Sequence, residues 1–496
     1  MWVATALWHA YKPLPAGVHI QGEPAPVEAA TLQFITDETS ANFYGQRTTQ
    51  PNIQAATLEL VHNARDFLVL DYFLFNDQGG PAGELKYIDG IRPVARELRE
   101  ALLTLRQAQP QLPILVMVDP INSYYRRKLP PELQQLAQAG IDVVMTDLTQ
   151  LRDPNPAYSA LWRLTLGWWL SPSGSGHFDN PLDAGGPALS FGALSRIPHF
   201  KANHRKVALT GDGSGSLVGI VSSGNPHDAS SAHSNVALRL AGEALRPLLL
   251  SELDIAQWSG WRGGEHFAQF RTRAGVATAA GAGTSPGAPA SGPAETPGIT
   301  RASVLTEGAI RDALLAVLDS TRNGDAVDIA QFYFSDRHVI DALVAAAGRG
   351  VAVRVVLDPN KDAFGFEKSG LPNREVASEL IASSDGGIKL RWYRTHGEQF
   401  HAKLAAVRRG DRLWLLVGSA NFTRRNLGDF NLEADVAVDA PANSELAANV
   451  SSWFERIWSN RPGASEYTAD AGVWAEPSQG RYWLYRFMEA SGLSTF

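Results

Sequence analysis

One arrangement of reactive side chains occurs twice in the chain: His204-Arg-Lys206 leading to Ser223-Gly-Asn225 and Asn235, and His401-Ala-Lys403 leading to Ser419-Ala-Asn421 and Asn431. His to the first Asn spans 21 residues in one copy and 20 in the other, and Asn to Asn spans 10 in both, which marks a duplicated half-site. A Lys two residues after a His on a strand shares its face, because strand side chains alternate. Each copy therefore sends an imidazole and an ammonium into one cavity, and the Ser/Asn turn adds neutral hydrogen-bond donors. Lys and Asn from both copies would hold a tetrahedral oxyanion, most simply a phosphate. The chain has no cysteine, and the motif shows neither a carboxylate pair nor clustered metal ligands. This points to one imidazole as nucleophile on phosphorus and the other as general acid toward the departing oxygen, with a phosphohistidine between the two steps. The lysines supply the charge that Mg²⁺ supplies in many phosphoryl-transfer sites, so neither metal nor cofactor is expected.

Elements that could position such residues alternate along both halves. Phe67–Phe75 reads as a buried strand, Val94–Leu105 as a helix, Ile114–Val118 as a strand ending in Asp119-Pro120, Glu132–Ala139 as a helix and Val143–Thr146 as a strand. The second half repeats the order: helix Ile310–Leu318, strand Val327–Phe334, helix Val339–Ala347, strand Val351–Leu357 with Asp358-Pro359, helix Arg374–Ile381 and strand Ile388–Tyr393. Trp258 and Trp458 each close a helical segment. The pattern predicts an α/β fold built as a pair of similar α/β layers. A length of 496 residues also exceeds one ordinary core. An Ala/Gly/Pro-rich stretch at 273–300 reads as a linker.

Composition narrows the function classes. Hydrophobic residues at 44% and charged residues at 19% describe a globular chain. A net charge of −7 gives no general attraction to polyanions, so nucleic acid is disfavoured as a partner. Met1–Ala10 is apolar but short and lacks a basic leader, and Tyr158–Leu170 falls short of the ~20 apolar residues of a spanning helix. A cytoplasmic protein, soluble or peripherally attached to membrane, is the expectation; the residues carry no signal for an oligomeric state.

The paired His-x-Lys motifs, each followed by a Ser-x-Asn turn, resemble the phospholipase D superfamily, over roughly 55–460. Within it the chain looks most like the bacterial phospholipase and cardiolipin-synthase-like branch. The resemblance implies two pseudo-symmetric α/β lobes, each a mixed sheet flanked by helices, with the site at their interface: an N-terminal extension at 1–54, a first lobe at 55–272, and a second at 301–496. It implies His204 as nucleophile and His401 as acid, Lys206 and Lys403 as catalytic partners, and Asn225, Asn421, Ser223 and Ser419 as phosphate ligands. Glu433, two residues past Asn431, corresponds to a carboxylate that orients a catalytic imidazole, and the same offset in the first copy falls on Ala237. The family's Asp, separated from the Lys by four residues, is displaced here, with Asp212 one residue late and Arg408 at its place in the second copy. The implied activity is a phosphodiesterase or phosphatidyltransferase on phospholipids; an endonuclease using the same site is the alternative.

Several residues admit plainer readings. His199-Phe-Lys201 is a rival motif start, but only His204-Arg-Lys206 runs into a strand as His401-Ala-Lys403 does. His227 and Asp228 read as a polar turn. Asp119, Asn122 and Asp358 follow strands where α/β folds place ligands, yet Asp-Pro also ends strands. The first half carries about 42 extra residues before its His, at 149–197, bearing Trp162, Trp168 and Trp169. This insert reads more readily as a core cap than as a membrane-dipping element.

Overall fold

The computed structural model describes residues 1–42, 44–77, 91–173, 176–183, 186–268, 298–363, 366–367, 369–460, 465–474 and 478–496. Most of the expected linker, 273–297, lies outside them. After the two-residue strand β1 (Ala25–Pro26), the first half contributes β2 (Gln33–Ala41), β3 (Arg47–Gln50), β4 (Leu68–Tyr72), β5 (Ile114–Val118), β6 (Asp142–Met145), β7 (Lys206–Gly211), β8 (Leu217–Ser222) and β9 (Asn235–Ala241). These form an eight-stranded sheet in the order β3-β2-β9-β8-β7-β4-β5-β6. The second half contributes β10 (Arg301–Thr306), β11 (Ala326–Gln331), β12 (Ala352–Leu357), a small ribbon of β13 (Asp362–Ala363) and β14 (Phe366–Glu367), then β15 (Ile388–Tyr393), β16 (Lys403–Arg409), β17 (Arg412–Gly418), β18 (Ala434–Pro441) and β19 (Thr468–Asp470). Its nine-stranded sheet runs β1-β10-β18-β17-β16-β11-β12-β15-β19.

Without β1, β3 and β19, the two orders are the same permutation of equivalent strands. β4, β5 and β6 are parallel, as are β11, β12 and β15, and the remaining main-sheet pairs are antiparallel. Each parallel step needs a crossover helix. Val94–Ala108 provides one; its Val94, Leu98, Ala101, Leu102 and Leu105 recur at helical spacing and are buried. Arg337–Gly348 is its counterpart, started by Asp336, whose side chain accepts from the Val339 amide.

Strand alternation then decides the layers. Val69, Leu115 and Val207 from one sheet and Val356, Leu404 and Val436 from the other share a single core. Their strand neighbours Leu68, Leu70 and Val116 face outward onto Leu98 and Leu133, while Ile329 and Val355 face Leu314, Leu343 and Leu380. The molecule is therefore helix, sheet, sheet, helix, with both sheets buried on two faces as their continuous apolar runs require.

The strands and helices expected from periodicity are present with ends shifted by a few residues. The expected extension at 1–54 is a correction: β2 pairs with β9, β1 pairs with β10, and the first-lobe helix already begins at Ile53. Gln33-Phe-Ile-Thr-Asp-Glu-Thr-Ser-Ala41 has no clean apolar alternation, so its place comes from pairing, which the sequence pattern does not display.

Candidate active site

His204 and His401 each stand just before an inner strand, and each is fastened to the opposite lobe. The His204 amide donates to the Leu432 carbonyl at 2.9 Å, and the His401 amide to Ser234 at 2.8 Å. The Asp-Pro turns hold the same loops from behind. Asp119 accepts from the Asn203 amide at 2.6 Å, and Asp358 from the Phe400 amide at 2.7 Å. Both carboxylates are buried and point at the residue before a motif histidine, so they position the loop; Asn122 instead holds the turn after β4, donating to Phe73 O at 2.8 Å.

The imidazoles are oriented across the lobe interface. His204 Nδ1 lies 2.9 Å from Glu433 Oε1 and 3.1 Å from Oε2. His401 Nδ1 lies 3.2 Å from Asn235 Oδ1. With Nδ1 donating to an acceptor, Nε2 is the free ring nitrogen in both. Each ring leans on a phenylalanine one residue beyond a central strand, Phe73 at 4.9 Å and Phe332 at 5.0 Å between centroids. The lysines repeat the symmetry: Lys206 Nζ and Lys403 Nζ donate to the carbonyls of their own motif histidines and sit 5.2 Å from the same two rings.

This geometry corrects the alignment of the two copies. Ser223 N donates to Val236 O and Ser419 N to Ala434 O, so Asn235 is the counterpart of Glu433, not of Asn431. Ala237 accordingly matches Asp435. Asn225 to Asn235 spans 10 residues while Asn421 to Glu433 spans 12, and the extra pair had concealed the match. Asn431 instead corresponds to His233: each accepts a backbone amide before the opposite histidine, Ala202 N at 2.9 Å and Gln399 N at 3.2 Å.

Of the expected phosphate ligands, the two serines stand elsewhere. Ser223 Oγ donates to Asn235 and accepts from Val236 N, and Ser419 Oγ donates to Glu433 and accepts from Ala434 N. Both are fully buried, so they brace the groups that orient the histidines rather than line the cavity. Asn225 Oδ1 accepts from Leu74 N at 3.2 Å, beside Lys206. Asn421 is 5% exposed and its Oδ1 has no hydrogen-bond partner among the described residues. Leaving such an atom unpaired costs about 1–3 kcal/mol, which a bound donor would recover.

The charges of the two motifs are felt in common. His204 is held well below the ordinary imidazole value by burial and then by Lys206, Lys403 and Arg425. His401 is lowered by burial, Lys403, His233, Lys206 and His204. Each ring thus responds to the other lobe's ammonium, which requires the motifs to meet. Burial pulls Lys206 down to about 7 and pushes Glu433 up to about 7 against the pull of Lys206, Ser419 and Asn426. The cations that bear on both rings, Lys206 and Lys403, set up a positive field that an incoming anion relieves.

Arg425 and the paired phenylalanines escaped the sequence reading. Arg425 donates to Phe200 O and Ser494 O and adds a cation toward His204; its only sequence signal is a charge four residues past Asn421 that the first copy lacks. His227 and Asp228 form the expected turn, through Ser230 Oγ at 2.9 Å and Ala95 N at 3.0 Å. Asp212 folds onto its own loop by accepting from Ser214, and Arg408 pairs with Asp328.

The rival His199-Phe-Lys201 lies just past the insert and packs against it. Lys201 pairs with buried Asp153 at 2.8 Å, and the His199 ring packs 4.8 Å from Trp162. Within the insert Trp162 is buried, as a core cap requires, whereas Trp168 and Trp169 are 81% and 86% exposed. Burial lowers His199 from 6.5 to about 3. Above 6.5 it is neutral folded and unfolded and contributes nothing to pH dependence. Below 6.5 the unfolded chain binds a proton the folded chain refuses, so stability falls by about 1.4 kcal/mol per pH unit. Urea titrations at about pH 7.5 and 5 should show His199→Gln losing about 2 kcal/mol less than the parent over that span; identical losses would refute the assignment.

Residues 314–458 match the family described as cardiolipin synthase, PLD-like domain. No curated protein sequence matches the chain. Among solved structures, the phosphatidylserine synthase of Haemophilus influenzae Rd KW20 superposes with a TM-score of 0.56 at 11% identity, covering 95% of this chain and 96% of that one. Lower similarity is found to the polyphosphate kinase of Porphyromonas gingivalis, with a TM-score of 0.43, 12% identity, and 95% and 57% covered. Nuc of Salmonella typhimurium, a phospholipase D family member, gives a TM-score of 0.24 at 23% identity over 31% of this chain and 93% of its own. Among the described residues no helix is long and apolar enough to cross a membrane.

Proposed function

We propose that this chain, whose residues 314–458 match a PLD-like domain, is a phosphodiesterase or phosphatidyltransferase acting on phospholipids through a phosphohistidine on His204. The reading rests on one observation above all: two buried His-Lys pairs, one from each lobe, whose imidazole Nδ1 atoms are held by Glu433 and Asn235, so that Nε2 is the ring nitrogen left to react. The Glu433 carboxylate makes His204 the better nucleophile, because it stabilises the charge the ring gains on bonding phosphorus. His401, backed only by the neutral Asn235, suits proton transfer.

In the first step His204 Nε2 bonds phosphorus as the ester oxygen leaves with a proton from His401. Lys206, Lys403, Asn225 and Asn421 hold the phosphoryl oxygens. In the second step His401 takes the proton of an incoming hydroxyl, whose oxygen displaces Nε2. The monoanionic diester also resolves a protonation problem: it offsets the lysines that lower His401, so the acid form is populated when substrate is bound. Water as acceptor yields hydrolysis and a lipid alcohol yields transfer.

A lipid substrate is favoured by exposed apolar residues around the insert. The helix Trp2–Tyr11 lies against the helix Pro156–Leu164, with Trp2 Nε1 on Ala157 O, and Leu7, Trp8, Leu161, Trp168 and Trp169 are exposed. Indole rings at such a rim suit a membrane interface, which makes peripheral attachment part of the proposal. Incubation with mixed phospholipid vesicles, with and without glycerol or phosphatidylglycerol, followed by mass spectrometry should reveal phosphatidic acid or a new phosphatidyl ester. Cleavage of DNA or RNA at low salt with no lipid product would overturn the lipid reading and favour the nuclease. Chelator should leave the rate unchanged.

A further inference from the structure

A second cleft opens between the insert and the carboxyl ends of β5 and β6, with a volume of about 560 Å³. The carboxyl ends of parallel strands are where α/β sheets take ligands. Four cations line it, Arg127, Arg163, Arg196 and Lys201, against the single carboxylate Asp147. Two of the cations are spent: Arg163 and Lys201 both pair with buried Asp153, at 3.0 and 2.8 Å. Asp147 is engaged as well, accepting from the Thr149 amide and hydroxyl and from Gln150.

Arg127 and Arg196 remain, and neither has a hydrogen-bond or ion-pair partner among the described residues. Arg196 Nε is buried and unpaired. Its guanidinium lies over the Trp162 ring at 5.1 Å, which holds it in place without neutralising it. It is lowered by burial and by the neighbouring charge of Arg127. Two guanidiniums lining one cleft whose carboxylate, Asp147, is already engaged repel, and an anion bound to both converts that repulsion into charge-assisted hydrogen bonds.

We propose that this cleft is a second anion site, built to take the phosphate of an organic phosphate between Arg127 and Arg196, with its carbon stem against Leu129, Met145 and Trp258. It is separate from the His-Lys site and stands whatever reaction occurs there. The apolar wall selects a phosphate on a hydrocarbon stem over the free ion, and the paired guanidiniums select a phosphate over an alcohol.

Calorimetric titration of the whole chain with octyl phosphate, inorganic phosphate and octanol tests this. A class of octyl phosphate sites should weaken about tenfold or more in Arg196→Gln, since a hydrogen bond to a charged group is lost, and recover partly in Arg196→Lys. Arg127 is exposed, so Arg127→Gln reads the same site without burdening the fold and should show a similar loss. Hydrolysis of bis(p-nitrophenyl) phosphate, which reports the His-Lys site, should be unaltered in both. Octyl phosphate should bind more tightly than phosphate; equal binding would mean that the apolar wall adds nothing and would overturn the organic-phosphate assignment. Unchanged titrations in Arg127→Gln, or octanol binding as well as octyl phosphate, would overturn the proposal.

Discussion

His204→Ala is expected to lower phosphodiester turnover by about 10⁴-fold or more, because it removes the atom that bonds phosphorus and no neighbour can replace it. His401→Ala should fail differently. With a p-nitrophenyl ester the leaving group needs no proton, so the first step proceeds, but no base remains to activate the acceptor. The phosphoryl group is then stranded on His204, and intact-mass spectrometry should find the adduct in His401→Ala and not in His204→Ala. An adduct in His204→Ala instead would exchange the two roles, and retained activity without either adduct would end the covalent scheme. Glu433→Gln keeps the contact to Nδ1 but not its charge, and should cost about 10–100-fold, as loss of an outer-shell partner does.

Arg205→Ala carries the largest expected effect on stability. This side chain, between the motif residues His204 and Lys206, is fully buried; it reaches Glu252 at 3.2 Å, Glu307 at 2.7 Å, Ser251 at 2.8 Å and the Glu433 carbonyl at 3.1 Å. Glu307 in turn accepts from the Glu433 amide at 2.9 Å. One guanidinium thus ties both lobes to the strand that starts at the nucleophile. Removing it leaves buried carboxylates uncompensated, a loss of about 3–5 kcal/mol, against a typical total of about 5–15. Guanidinium titration should show the midpoint falling sharply, with partial restoration in the double variant with Glu252→Gln. A midpoint unchanged in Arg205→Ala would mean the network contributes nothing net.

Both predictions bear on how much was legible beforehand. His-x-Lys and Ser-x-Asn could be read because the spacing of a duplicated unit survives as an interval along the chain. Asp119-Pro120 and Asp358-Pro359 were visible as strand ends, but that their carboxylates grip the residue before each histidine was not, since that contact joins residues 84 and 42 apart. The partners of the imidazoles were hidden for the same reason. Glu433 orients His204 from 229 residues away, and Asn235 matches Glu433 only once strand pairing has absorbed two extra residues. Arg205 looked like the neutral middle of a motif, because its counterpart is Ala402.

By itself the sequence determined the reacting side chains, the repeat, the alternation of strands and helices, and so the class of chemistry, because all of these are set by residue type and local period. The tertiary structure alone decided which imidazole has a carboxylate behind it, that the serines brace rather than bind, and that two arginines are left facing an open cleft. Those outcomes depend on which distant residues are brought within about 3 Å and withdrawn from water, and no interval along the chain encodes that.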